Sequence, residues 1–263
     1  MSHAWYLLNK LKKNGRRLWV NVALTKYKIV RYVAKKVFDY RLCRNDNEDW
    51  DICWIDSGIS HEKLMKMKPY QRINHFPGMF GIARKNLLAR NLMKMQSKFP
   101  KDYNFFPETW VLPAETLDFK SQFPIGKKSK KGPTFIWKPE ASCQGRGIFL
   151  INNLNKIQIK ENYIAQKYIT NPYLIDGLKF DLRIYVLIWG VDPLRIYIYK
   201  DGLARFATHK YKKPSNRNIK DMFCHLTNYA INKNSKKFTF NHGADDDDKG
   251  HKRSYRSILE FFK

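Results

Sequence analysis

The sequence predicts an α+β protein whose N-terminal part is built as α/β. Three observations carry this reading. Between residues 18 and 56 an apolar run, an amphipathic segment and a second apolar run succeed one another, the strand–helix–strand rhythm of an α/β layer. Residues 84–98 place Leu87, Leu88, Leu92 and Met95 at helical spacing. From Thr134 onward, short β-rich runs alternate with turn residues. With 263 residues, 43% hydrophobic and 15% aromatic, the chain can bury a core and is no disordered basic tail.

Taken in order, residues 18–24 read as a buried strand. Residues 26–40 read as an amphipathic helix with Ile29, Val33 and Val37 inward and lysines between them. Residues 51–56 form a second strand, and Ser60 is placed to cap a short helix reaching Lys66. The helix of residues 84–98 follows, its apolar stripe turned to the core. Pro100, Pro107 and Pro113 then mark a loop-rich stretch. Strands are expected at residues 134–138, 147–151, 163–168, 179–189, 194–199 and 203–207. Asp192-Pro193 and Asp201-Gly202 would join the later ones as antiparallel hairpins or meanders.

The charge is strongly one-sided, with 50 Lys and Arg against 23 Asp and Glu, a net +27 and a pI near 9.9. Eleven basic residues and one acid, Asp39, lie between Lys10 and Arg41, and further clusters occupy residues 127–131 and 210–213. Such a field captures polyanions and weakens with salt. On charge alone, nucleic acid, anionic lipid and an acidic protein surface are all open. The one opposing acidic run is Asp245 to Asp248. No apolar run approaches the roughly 18 residues of a spanning helix, so membrane insertion is not expected. The N-terminus lacks the apolar core of a secretory signal. Cys43, Cys53, Cys143 and Cys224 are widely spaced without a CxxC pair, which predicts buried thiols in a reducing compartment rather than disulfides or zinc.

Four segments carry chemistry. In residues 135–148 a strand ends in Lys138, and a small-residue loop with Gln144, Gly145, Arg146 and Gly147 follows before the next strand. Glycines there let backbone N–H groups approach a polyphosphate while the lysine supplies a point charge. The order is not that of a Walker A loop, and an ordinary hairpin with an exposed lysine is equally compatible. In residues 179–187, alternation sends Lys179, Asp181 and Arg183 to one face and Phe180, Leu182, Ile184 and Val186 to the other. The apolar continuation from Val186 to Trp189 predicts burial on both faces, which would make the charged mouth a ligand site. Arg205, in an otherwise apolar strand, is either a ligand contact or a buried arginine paired with a carboxylate such as Asp181. Thr227 and Asn228, after His225, could meet a phosphate or simply form a local polar turn.

These segments occur in a telling order. Gln71-Arg72-Ile73-Asn74-His75-Phe76-Pro77-Gly78-Met79 and Arg84-Lys85-Asn86-Leu87-Leu88-Ala89-Arg90-Asn91 come first. Phe105-Phe106-Pro107-Glu108-Thr109-Trp110-Val111-Leu112-Pro113 follows, then the loop of residues 138–148 and Gln166-Lys167-Tyr168-Ile169. Lys179-Phe180-Asp181-Leu182-Arg183 and His225-Leu226-Thr227-Asn228-Tyr229 complete the set. Over residues 18–234 the chain resembles the tubulin–tyrosine-ligase-like family of ATP-grasp amide-bond ligases, most of all its tubulin polyglutamylase branch.

The resemblance implies an ATP-grasp-like fold, with residues 1–105 as a basic, tubulin-facing α/β domain. Residues 106–168 would be the central subdomain and residues 169–263 a partial C-terminal subdomain. It further implies that Lys138 binds phosphate and that Gln144, Gly145, Arg146 and Gly147 close over the triphosphate, Arg146 also touching the protein substrate. Gln166, Lys167, Tyr168 and Ile169 would grip adenine, and Lys179, Phe180, Asp181, Thr227 and Asn228 would contact the nucleotide. Arg183 and Arg205 would serve the γ-phosphate and the incoming amino acid, while Tyr229 and Lys252 would hold free L-glutamate. The implied activity is ATP- and Mg²⁺-dependent addition of glutamate to tubulin C-terminal tails through an acylphosphate. The alternatives are an inactive microtubule-binding form, or a related glycylase or tyrosine ligase. A monomer of the cytoplasm and cytoskeleton is expected, at microtubules of cilia, basal bodies or axonemes. Nucleic acid is not an expected partner, because no RNA or DNA module is recognisable. The family's Glu and Asn metal ligands fall in a run like Leu-Leu-Glu-Val-Asn that this chain lacks. The Mg²⁺ ligands are therefore expected beyond Lys263, the C-terminal part is expected to be incomplete, and an exposed sheet edge with low solubility is expected with it.

Overall fold

Val20 and Val22 are almost fully buried, and the short strand that holds Val20 seeds a parallel sheet near the N-terminus. The computed structural model describes residues 17–45, 49–123, 132–140, 145–154, 162–241 and 248–263. The basic residues before Arg17, the lysine cluster at 127–131, Cys143, Gln144 and Asp245 to Asp247 lie outside them. The chain divides into two units, Met1–Gly81 and Ile82–Lys263.

In the first unit, β1 (Trp19–Asn21), β2 (Arg41–Cys43), β3 (Ile52–Cys53) and β4 (Arg72–Ile73) pair in parallel in the order β2-β1-β3-β4, the expected α/β layer. Helix α1 (Lys28–Tyr32) runs directly into a π turn, Val33–Val37. The predicted inward stripe is shifted by one residue. Ala34 is buried, and Val30 packs with it on Val20 and Val22, whereas Ile29 is 64% and Val37 59% exposed. A small residue lets the helix approach the sheet closely. The i→i+5 bond from Phe38 N to Val33 O (3.1 Å) then turns Val37 outward. Ser60 caps α2 (His61–Met65) as expected, its Oγ accepting from Lys63 N at 3.3 Å. A short α3 (Phe80–Ala83) follows.

The second unit begins with α4 (Lys85–Lys98), whose Ala89 packs on Val111 and Ile164. The stretch expected to be loop-rich instead holds β5 (Thr109–Leu112), buried at all four positions, and α5 (Thr116–Ser121). Pro107 and Pro113 flank that strand without interrupting its hydrogen-bond ladder, so they do not oppose it. With β6 (Phe135–Pro139), β7 (Phe149–Ile151) and β8 (Tyr163–Lys167) it forms an antiparallel sheet ordered β5-β8-β6-β7. Trp110, Phe119, Phe135 and Trp137 fill its core, with Phe119 and Phe135 edge-to-face at 5.0 Å.

The other sheet is ordered β12-β11-β10-β9, from β9 (Leu174–Ile175), β10 (Leu178–Val191), β11 (Leu194–Phe206) and β12 (Lys252–Ser254). Three short helices accompany it, α6 (Met222–His225), α7 (Tyr229–Asn232) and α8 (Tyr255–Phe261). The hairpin at Asp192-Pro193 is as expected, but Asp201-Gly202 does not end a strand. It forms a bulge inside β11: Ile184 pairs with Gly202, and the next pair is Val186 with Ile198. A Cβ on Gly202 would lie 2.4 Å from Arg183 O, so the close backbone approach requires glycine. Asp201 Oδ1 accepts from Gly202 N (2.7 Å) and from Arg256 N of α8 (3.2 Å), pinning the bulge.

Below the bulge, Ile175, Ala204, Phe206 and Ile258 form a core. Above it, the expected burial on both faces does not occur. Val186 is 55% and Ile198 70% exposed, and Leu187, Trp189, Ile196 and Tyr197 are exposed too. The cause is lateral: β9 reaches only Leu178 and Lys179, and β12 only Leu203 to Arg205. Cys43, Cys53 and Cys224 are buried thiols, in keeping with the burial expected of them. Among the described residues no helix is long and apolar enough to cross a membrane.

Candidate active site

Strand β6 buries Phe135 and Trp137, and alternation therefore sends Lys138 to the opposite face. There its Nζ donates to Gln166 Oε1 at 2.7 Å. The Gln166 amide in turn donates from Nε2 to Thr109 Oγ1 at 2.8 Å, and that hydroxyl donates to Pro107 O at 2.7 Å. Burial pushes the Lys138 pKa down, and the neighbouring Lys85 adds to the effect. Lys85, at the start of α4, donates to Pro139 O at 3.2 Å, and Asn86 bonds the Glu140 carboxylate.

Lys179 enters from β10. Its Nζ donates to His225 O (2.9 Å) and to the Tyr168 hydroxyl (3.1 Å), and lies 4.4 Å from the Tyr168 ring centroid. Burial pushes its pKa down to about 8; Asp181 opposes the shift and Lys138 reinforces it. Burial raises the Tyr168 hydroxyl well above its ordinary range. His225 is held by its Nε2, 3.1 Å from Asn218 O, and burial lowers its pKa. A carbonyl can only accept, so Nε2 carries the proton. Both ammonium groups are thus partly desolvated against neutral acceptors, which makes this pair of strands a receptive place for an anion.

The glycine loop lies next to these groups. Gly145 (φ 83°) and Gly147 (φ 67°) adopt left-handed conformations. A Cβ on Gly145 would sit 2.8 Å from Ile231 Cδ1 and 2.9 Å from Asn228 Cγ, so the loop rests against the start of α7. Arg146 lies in the same turn, and Thr227 is buried beside Asn228.

On the β10–β11 floor, Asp181 and Arg205 are opposite each other and form a two-pronged fork, Nε to Oδ1 at 2.8 Å with Nη2 on Oδ2. The hydrogen bond that Arg205 donates to Asp181 raises the Arg205 pKa. The carboxylate-paired reading of Arg205 therefore describes its geometry, while the guanidinium edge bearing Nη1 points away from that fork. Lys252 pairs in register with Arg205 from β12, and Arg183 stands opposite Leu203. Tyr229 is exposed and packs edge-on against Phe238 at 5.7 Å; Phe238 stacks on His251 at 5.5 Å.

The structure thus brings together Lys138, Gln166, Tyr168, Lys179, Asp181 and Arg205, and seats Gly145 against Asn228. Other predicted residues point elsewhere. Phe180 stacks on Phe206 at 5.4 Å and packs against the core of its sheet. Lys167 is exposed and paired with Glu108 at 2.7 Å, and Ile169 is exposed. Gln144 lies outside the described residues. Three contributors were not singled out from sequence: Thr109, Lys85 and the carbonyl of His225. A basic residue opening a helix is a weak signal for Lys85. Thr109 reads as an ordinary β-former, and a backbone carbonyl leaves no trace in composition. A separate recess of about 560 Å³ lies between β7 and residues 216–226, with His225 and Leu226 in its wall. Among the described residues no three His, Cys, Asp or Glu side chains gather as a metal site.

With this geometry in place, comparison with known proteins is informative. Residues 63–262 match the model of the tubulin-tyrosine ligase family. A Tetrahymena thermophila protein named "Probable beta-tubulin polyglutamylase" is 55% identical over 247 residues, covering 94% of this chain and 20% of that protein. Mouse tubulin polyglutamylase TTLL6 is 47% identical over 230 residues, 87% of this chain and 27% of its own length. Xenopus tropicalis tubulin polyglutamylase TTLL7 is 43% identical over 256 residues, 97% of this chain and 28% of its own. The chain therefore spans between a fifth and a third of these relatives. The family match covers the glycine loop, both half-buried lysines and the Asp181–Arg205 fork, and the chain belongs to the tubulin-tyrosine ligase family.

Proposed function

We propose that this chain carries the nucleotide-binding part of an ATP-dependent ligase that adds glutamate to the acidic C-terminal tails of tubulin. One observation carries the reading: Lys138 and Lys179, from two different sheets, are half-buried on neutral acceptors within one electrostatic neighbourhood. Desolvated cations of this kind gain most from a polyphosphate. The relatives' names supply the amino acid and the protein substrate.

When bound, ATP would supply the phosphoryl group that turns a target carboxylate into an acylphosphate; the amino group of free glutamate would then attack its acyl carbon, forming the amide as inorganic phosphate leaves. In this reading Lys138, Lys179 and Arg146 hold phosphates, and Gly145 and Gly147 give backbone N–H groups access to them. Lys85, beside Lys138, belongs to the same cationic wall. The hinge from Gln166 to Ile169 receives adenine through its backbone, and Thr227 and Asn228 close the nucleotide site. Asp181 holds Arg205 so that its remaining N–H groups face the reacting phosphate and, with Arg183, the incoming amino acid. Tyr229 and Lys252 flank free glutamate. No step is assigned to Mg²⁺, since among the described residues no three His, Cys, Asp or Glu side chains gather as a metal site. The exposed Lys26, Lys28, Lys35, Lys36 and Arg41 form a basic surface suited to glutamate-rich tails. A cytoskeletal location follows from that substrate, at microtubules of cilia, basal bodies or axonemes.

The test is incorporation of labelled glutamate into tubulin, with ATP, by the chain as it stands. Incorporation that disappears in Lys138→Ala supports the ligase. Salt-sensitive co-sedimentation with microtubules and no incorporation would convert the reading to a tubulin-binding form.

A further inference from the structure

We infer that Thr109 is a positioning residue for Lys138, acting through the amide of Gln166. This rests on the reading of Lys138 as a phosphate contact. Pro107 O can only accept, so the Thr109 hydroxyl spends its single proton there, at 2.7 Å. Toward Gln166 that hydroxyl can then only accept, which requires the NH₂ end of the amide, at 2.8 Å. The oxygen end is thereby presented to Lys138 Nζ at 2.7 Å. All three bonds run the same way, from ammonium to amide to hydroxyl to carbonyl, and each polarises the next.

Two consequences follow. First, both ends of the Gln166 amide are fixed, so one of the three ammonium protons of Lys138 is committed and the other two are aimed. Second, the acceptor favours the charged form of a lysine whose surroundings oppose it. The charged groups facing Lys138 are Lys85 from α4 and Lys179 from β10, both cations, and burial acts in the same direction. Thr109 is itself buried, so replacing its hydroxyl removes the acceptor that the Gln166 NH₂ uses. The amide then swings toward water and leaves the ammonium without its oxygen.

The experiment is a side-chain lysine NMR titration of the full chain, with the Lys138 signal assigned by its loss in Lys138→Arg. ATP affinity is measured in parallel. Thr109→Val is expected to move the Lys138 titration to lower pH and to weaken ATP binding about tenfold, the worth of one charge-assisted hydrogen bond. Thr109→Ser, which keeps the hydroxyl, is expected to restore both. If the valine variant does not fold, Thr109→Ala against Thr109→Ser gives the same contrast. A Lys138 titration that is unchanged in the valine or alanine variant overturns the inference. A displaced titration together with ATP binding that survives Lys138→Ala would keep the relay and overturn the phosphate-site reading instead.

Discussion

Below the bulge at Gly202, β10 and β11 carry Lys179, Asp181 and Arg205, and these charged residues are half-buried and held by named partners. Above it, the same two strands carry Val186, Leu187, Trp189, Ile196 and Ile198, and these apolar residues stand in solvent. The difference does not come from the strands themselves. β9, β12 and α8 enclose the lower part, while the upper part is a two-stranded ribbon. Lateral neighbours decide what a strand can do: the enclosed end can fix charged groups for chemistry, and the free end can only offer surface.

The sharpest way to break this comparison is to cut one large side chain from each part. Phe206→Ala should cost about 3–5 kcal/mol in urea denaturation, because Phe206 is 1% exposed and stacked on Phe180. Leu187→Ala should change stability by no more than about 0.5 kcal/mol. Equal costs would mean that the ribbon is covered in solution.

Next in size, Arg205→Ala should lower kcat/KM for glutamate incorporation on the order of a hundredfold while the chain stays folded, the usual worth of one charge-stabilising donor. Asp181→Asn should reproduce part of that loss, since it releases the fork. An active, folded Arg205→Ala would remove Arg205 from the reaction.

Lys179 gives a pH test of intermediate size. Its pKa falls from 10.5 to about 8 on folding, so in that interval the unfolded chain holds more proton. Stability from this group therefore rises with pH between those values. Nucleotide affinity should move the other way, falling as pH climbs through 8, and ATP binding above pH 8 should take up protons. Calorimetry in buffers of different ionisation enthalpy reads both. Affinity that is flat from pH 7 to 9.5 would detach Lys179 from the phosphates.

The smallest effect is expected at the ribbon. Val186→Lys and Ile196→Lys should leave the urea midpoint nearly unchanged while raising the concentration at which the chain stays monodisperse in light scattering. A large loss of stability would reveal packing at those positions.

Much of the fold was legible in the sequence because apolar periodicity reports it directly. The parallel layer, the Ser60 cap, the Lys138 strand and the alternation of Lys179 and Asp181 all follow from local pattern. Other features depend on neighbours that a local pattern does not record. Asp201-Gly202 has the composition of a turn, and a bulge uses the same residues; only the pairing of Ile184 with Gly202 separates them. The prolines around β5 mark its ends, and their composition is equally that of a loop. The run from Val186 to Trp189 indicates a need for cover without saying whether cover is present. At the site, Lys138 and its glycines were visible as types, whereas the Thr109–Gln166 relay is a product of strand register.

The bulge has a kinetic meaning as well. Opening that starts at the Asp192-Pro193 end has only the bonds between 186–191 and 194–198 to break before it meets the interrupted ladder at Tyr185. There Asp201, tied to the backbone of α8, halts it one pair short of Arg183. The bulge is a firebreak: amides of the ribbon should exchange with solvent by local fraying, while those of Leu203 to Phe206 wait for unfolding of the whole unit. A protein can therefore keep a restless apolar arm on the same strands as its most tightly placed charges, provided one glycine and one aspartate separate the two.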